Sequence, residues 1–179
     1  MSRSLHRLVL ALAFPAAALG APAALAQGPT LTASMAVDLT IVAPLTLAVT
    51  QKLDFGRMLA ATKQTIAPSA ANAGRFEVTG TSGSSIAVTL MMPTVVAGPG
   101  ASIPITAWNY LMSESATFSG ATPVTFNAGQ VIPVAATLSG STGTTKLYFA
   151  VGATTFPSGG QIPGLYTATG TITAAYADL

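Results

Sequence analysis

From Leu31 to Ile41 the chain alternates without a break. Leu31, Ala33, Met35, Val37, Leu39 and Ile41 fall on one side, and Thr32, Ser34, Ala36, Asp38 and Thr40 on the other. A period of two is the signature of a β-strand with one face in a core. A second such run closes the chain: Tyr166, Ala168, Gly170, Ile172, Ala174 and Tyr176 are interleaved with Thr167, Thr169, Thr171 and Thr173. Shorter strands are predicted at 45–49, 76–79, 86–90, 103–112, 124–126, 131–138 and 146–151, where Val, Ile, Thr and aromatic residues suit a pleated surface. Gly80-Thr81-Ser82-Gly83 has the composition of a hairpin turn. Gly98-Pro99-Gly100, Asn127-Ala128-Gly129 and Gly140-Ser141-Thr142-Gly143 are further turns, and 62–73 is predicted to be a loop. No segment after the first 26 residues carries a sustained 3.6-residue period. Short strands with Gly/Pro/Ser/Asn turns predict an all-β fold, an antiparallel β-sandwich of immunoglobulin type, with a jelly roll as the alternative.

The first 26 residues have a different character. Arg3 and Arg7 precede an apolar stretch, 8–19, that is too short to span a bilayer. Ala24-Leu25-Ala26 follows as a small-x-small cleavage site. This is the layout of a secretion signal cut between Ala26 and Gln27. The predicted organisation is a signal peptide over 1–26, an alternating N-terminal strand over 27–43 and a sandwich domain over 44–179. No later stretch is long and apolar enough for an integral membrane segment. The expected location is the periplasm in transit, then the cell surface or the medium.

Composition narrows the chemistry. The sequence contains no cysteine, and its one histidine, His6, lies in the predicted signal. Without Arg3 and Arg7, five basic residues face five acidic ones, Asp38, Asp54, Glu77, Glu114 and Asp178. A neutral, charge-poor chain favours association over solubility, and no basic patch invites nucleic acid. Ser-His-Asp and Cys-His catalysis and the common zinc sites lack their residues, and the scattered carboxylates do not form a calcium loop. No catalytic residue, cofactor or metal is expected, and the protein is not expected to be an enzyme. Asp54-Phe55-Gly56 spells a kinase tripeptide with no other kinase motif around it, so it is expected to be a strand end turning at Gly56 with Phe55 in the core. Gly140 to Lys146 lacks the ending of a phosphate loop. No spacing pairs Lys52, Lys63 or Lys146 with a serine nucleophile, or with Asn72, Asn109 or Asn127 for an isopeptide bond. Trp108-Asn109-Tyr110 allows two expectations, a sugar-stacking platform or aromatic core packing.

An alternating strand at a new N-terminus has two uses. It completes its own sandwich, or it fills a groove in a neighbouring copy by β-strand addition, where main-chain hydrogen bonds and alternate side-chain pockets both contribute. The pattern alone does not choose. The order Ile41-Val42-Ala43-Pro44-Leu45, Leu53-Asp54-Phe55-Gly56, Gly74-Arg75-Phe76-Glu77-Val78-Thr79-Gly80 and Gly164-Leu165-Tyr166-Thr167-Ala168-Thr169-Gly170-Thr171-Ile172 resembles the bacterial domain of unknown function family 4402, similar to spore-coat-U-like and chaperone–usher pilin subunits. The resemblance covers nearly all of the chain after the signal. It implies a pilin-like sandwich, export in a Gram-negative bacterium, and assembly into a surface fibre with a periplasmic chaperone and an outer-membrane usher. It also implies that Tyr166, Ala168, Ile172, Ala174 and Tyr176 form a final strand facing the chaperone. On this reading Leu31, Ala33, Met35, Val37, Leu39 and Ile41 are donor-strand residues, and the partners are other copies or related subunits. The alternative is a monomeric secreted or surface binding module, for polysaccharide.

Overall fold

The computed structural model describes Ala36 and residues 38–177. The chain divides between Leu39 and Thr40. On the N-terminal side, Ala36, Asp38 and Leu39 are exposed and outside any strand. The signal, its cleavage site at Ala26 and Gln27, and Leu31, Ala33, Met35 and Val37 lie outside the described residues.

From Thr40 onward the protein is an antiparallel β-sandwich, with no helix among the described residues. Ten strands form it: β1 (Thr46–Gln51), β2 (Gln64–Ile66), β3 (Gly74–Thr81), β4 (Ser85–Met91), β5 (Val95–Val96), β6 (Ile103–Ser113), β7 (Val124–Asn127), β8 (Val131–Thr137), β9 (Thr144–Thr155) and β10 (Thr171–Tyr176). One sheet runs β1-β3-β9-β6-β5, with β2 on β9 and β7 on β6; the other runs β10-β4-β8. The core lies between them. Phe76 and Phe149 stack with ring centroids 4.6 Å apart, and Val78, Ile86, Val88, Leu90, Val134, Leu138 and Leu147 are buried around them. Alternation produces this directly: β3 is buried at every second residue from Gly74, and β4 at every second residue from Ile86.

Three features differ from the sequence expectation. Gly80–Gly83 does not close a hairpin, because β3 pairs with β1 and β9 whereas β4 pairs with β8 and β10. The two strands lie in opposite layers, and their apolar faces meet in the core between the sheets. The turns at 127–129 and 140–143 likewise carry the chain between sheets. The predicted loop 62–73 contains β2, whose Ile66 is buried. It is held there because β9 runs on through Gly152 to Thr155 and offers a free edge. A side chain at Gly152 would collide with the Ile66 carbonyl and the Asn109 side chain. Lastly, regular structure in the closing run starts at Thr171, five residues later than its alternation. The ladder to β4 ends at Met91 opposite Thr171. Two residues further on, Pro93 has no N–H to extend it.

Candidate functional site

One margin of the sandwich lies between β1, which ends its sheet, and β10, which ends the opposite sheet, so each has an outer edge with no strand paired to it among the described residues. Leu47 is the cross-strand partner of Val78, and Val49 of Phe76, so these side chains share the core-facing side of the sheet. Val78 and Phe76 are 0% and 2% exposed, whereas Leu47 and Val49 are 37% and 68% exposed. On the opposite wall the inward residues of β10, Ile172, Ala174 and Tyr176, are only half-buried. The gap deepens into a cavity of about 1210 Å³. Its floor includes Phe76, Ile105, Trp108 and Val151, and the segments 51–60 and 161–168 line its mouth. Both walls offer backbone hydrogen-bonding groups along a length of six residues, about 20 Å. The opening is an elongated groove, apolar on its floor and bounded by two strand edges; it is called the slot below.

Both ends of the slot are built by local chemistry. At one end Tyr176 Oη donates to the Ala43 carbonyl at 2.7 Å and accepts from Thr81 N–H at 2.8 Å, while Ala43 N–H donates to Thr81 Oγ1 at 2.6 Å. At the other end Tyr166 folds against Gly98 and Gly100. Its hydroxyl accepts from Gly100 N–H at 3.2 Å and from Gln161 Nε2 at 2.7 Å, and donates to the Ile162 carbonyl at 2.9 Å. Thr167 and Ala97 form an isolated bridge beside it. Of the residues expected in the final strand, the structure therefore places Ile172, Ala174 and Tyr176 on the slot wall. Tyr166 and Ala168 sit before β10, in the segment that closes the slot's far end. Of the expected donor residues, Leu39 and Ile41 are described, and each is 83% exposed and outside any strand.

The other sequence candidates resolve more simply. Trp108 and Tyr110 are both buried, and Trp108 Nε1 donates to the Pro93 carbonyl at 2.9 Å, so they present no sugar-stacking platform. Burial also raises the Tyr110 hydroxyl pKa above its ordinary value. Gly56 turns with φ of 68°, its N–H held by Asp54 Oδ1 at 2.8 Å, and Phe55 packs against the core. Lys146 pairs with Glu77 at 2.8 Å on the surface, and this carboxylate raises the ammonium pKa. Lys52 and Lys63 are exposed. Among the described residues no group of His, Cys, Asp and Glu is arranged to hold a metal ion, and no helix is long and apolar enough to cross a membrane. What the sequence could not reveal was the exposure of Leu47 and Val49, because it depends on what lies opposite β1 rather than on β1 itself. No family model matches the chain, and no curated protein or solved structure matches it significantly.

Proposed function

We propose that this protein is an exported structural subunit that polymerises by β-strand addition, each copy's alternating segment 31–41 filling the slot between β1 and β10 of the next. The observation that carries the reading is the exposure of Leu47 and Val49 beside fully buried partners, in a sandwich whose two layers both end at that margin. The missing element must be extended, apolar on one face and able to pair with two edges. The segment 31–41 supplies that pattern, and its described members Leu39 and Ile41 are exposed. Charge is compatible: Lys52 and Arg57 outnumber Asp54 among the residues at the slot mouth, and the segment carries one carboxylate, Asp38. Burying Leu31, Met35, Val37, Leu39 and Ile41 at about 1.5–3 kcal/mol each is worth roughly 10 kcal/mol before ordering and association are subtracted. Withdrawal of the whole strand would then be slow.

On this reading the protein passes through the periplasm to the cell surface, and a periplasmic chaperone and an outer-membrane usher are the expected assembly partners. A chaperone would cover the same β10 edge until the donor arrives. The test is electrophoresis of surface extracts with and without boiling. A heat-sensitive ladder of multimers is expected, and Val37→Asp or Leu39→Asp should abolish it while export continues. Polymers that survive both changes would overturn the reading.

A further inference from the structure

The two ends of the sandwich carry loops of opposite character. β1 and β9 both pair antiparallel with β3, so they run the same way, and the segments that follow them, 52–63 and 156–165, leave the sheet at one end. The Ala61 N–H donates to the Pro157 carbonyl at 3.1 Å and ties these two segments together. We propose that the joined loops form a docking surface for an anionic phospholipid membrane, to which they bring apolar tips and positive charge at once. The inference uses neither the strand edges nor the segment 31–41, so it does not rest on the donor-strand reading.

The apolar part is Leu59, Phe156, Ile162 and Leu165. Leu59 and Leu165 are 78% and 80% exposed, and Phe156 and Ile162 are exposed as well. Leu59, Ile162 and Leu165 line one cavity mouth. Single exposed apolar side chains are ordinary, but four on two joined loops make a patch. The charged part lies in the same stretch. Lys52, Arg57 and Lys63 are exposed and share 52–63 with a single carboxylate, Asp54. The other cations among the described residues are engaged elsewhere. Lys146 pairs with Glu77, and the Arg75 guanidinium lies 5.3 Å from the centroid of the Phe118 ring. The opposite end of the sandwich has neither part. Its loops 81–84, 114–123 and 138–143 contain no cation, one carboxylate at Glu114 and no exposed large apolar side chain. Small polar residues are enough to connect strands, so leucine and lysine at one end are not a requirement of the fold. The composition selects lipid over protein. Protein interfaces are depleted in lysine, and leucine is under-represented among their energetic anchors. Leucine and phenylalanine enter the boundary between headgroups and acyl chains, while lysine and arginine reach out to the phosphates.

Sedimentation with vesicles tests this. The exported form of the protein is mixed with vesicles of equimolar phosphatidylglycerol and phosphatidylcholine, or of phosphatidylcholine alone. Binding to the anionic vesicles is expected to exceed binding to the neutral ones by at least about tenfold, and to weaken as salt is raised. Lys52→Gln, Arg57→Gln and Lys63→Gln should each weaken it about fivefold. Leu59→Ser and Leu165→Ser should each weaken it about tenfold. Lys146→Gln removes the same charge from a position near the opposite end and should leave binding unchanged. All of these side chains are exposed, so the variants should keep the parent's unfolding midpoint. The sequence contains no cysteine, so a single introduced thiol carries a dye without background. An environment-sensitive dye on Leu165→Cys should brighten with anionic vesicles, and one on Ser141→Cys, at the opposite end, should not. The inference is overturned if the two kinds of vesicle bind equally, if Lys146→Gln weakens binding as much as Lys52→Gln, or if the dye responds at 141 rather than at 165. It is also overturned if neither kind of vesicle binds; a change of oligomeric state in Leu165→Ser would then show that a second copy covers the patch instead.

Discussion

β1 and β3 lie side by side in one sheet, and both alternate. Val78 and Phe76 of β3 are buried, whereas their direct neighbours Leu47 and Val49 in β1 stand largely in solvent. Local pattern is the same in the two strands; the facing layer is not. β4 lies opposite β3, and only the half-buried margin of β10 approaches β1. An apolar face on an uncovered edge strand is an association hazard that natural sheets usually blunt with charge, proline or a bulge. Here the strand's only irregularity is a register shift between Val49 and Gln51, at its far end. The contrast teaches that an alternating strand specifies a buried face without specifying who buries it.

Substitutions on the two strands should separate the fold from the assembly. The largest effect is expected from Phe76→Ala, which removes a buried ring stacked on Phe149. It should cost about 3–5 kcal/mol in denaturant unfolding. Next comes Gly152→Ala, where a methyl group meets the Ile66 carbonyl that β2 brings against β9. It should cost about 1–3 kcal/mol and loosen the β2 end of the sheet first, seen as faster amide exchange at 64–66. Val49→Thr, on the cross-strand partner of Phe76, should move the single subunit's stability by no more than about 0.5 kcal/mol. On the donor-strand proposal, the same change should lower the temperature at which the multimer ladder dissolves. Equal effects of Val49→Thr on subunit and ladder would erase the distinction between the two strands. The smallest effect belongs to Lys146→Gln. The Lys146–Glu77 pair is exposed, so its loss should leave the unfolding midpoint unmoved at neutral pH and physiological salt.

Much of this architecture could be read from the residues. Period-two runs located the cores of β3, β4, β6 and β8, and the absence of a helical period matched an all-β fold. Connectivity could not be read. Gly80–Gly83 has hairpin composition, but a tight turn and a change of sheet use the same small residues, and the pairing of β3 with β9 and of β4 with β8, remote in sequence, decides between them. β2 was hidden because Gln64-Thr65-Ile66 is too short to show a period; its place is fixed by the length of β9. Tyr166 looked like the first residue of the last strand. It instead makes three hydrogen bonds at the far end of the slot, a choice set by the bare Gly98 and Gly100 some 66 residues earlier. The margin between β1 and β10 was not legible in the residues, because its walls come from two sheets whose pairing is remote in sequence.

Amide hydrogen exchange along β10 tests the central claim most directly. In the assembled protein, the 171–176 amides that point away from β4 should exchange slowly, because a donor strand pairs with them. In Leu39→Asp, recovered as single subunits, the same amides should exchange at least about a hundredfold faster while those pointing toward β4 stay protected. Identical protection in the two samples would mean that no second molecule occupies this edge, and would contradict the account.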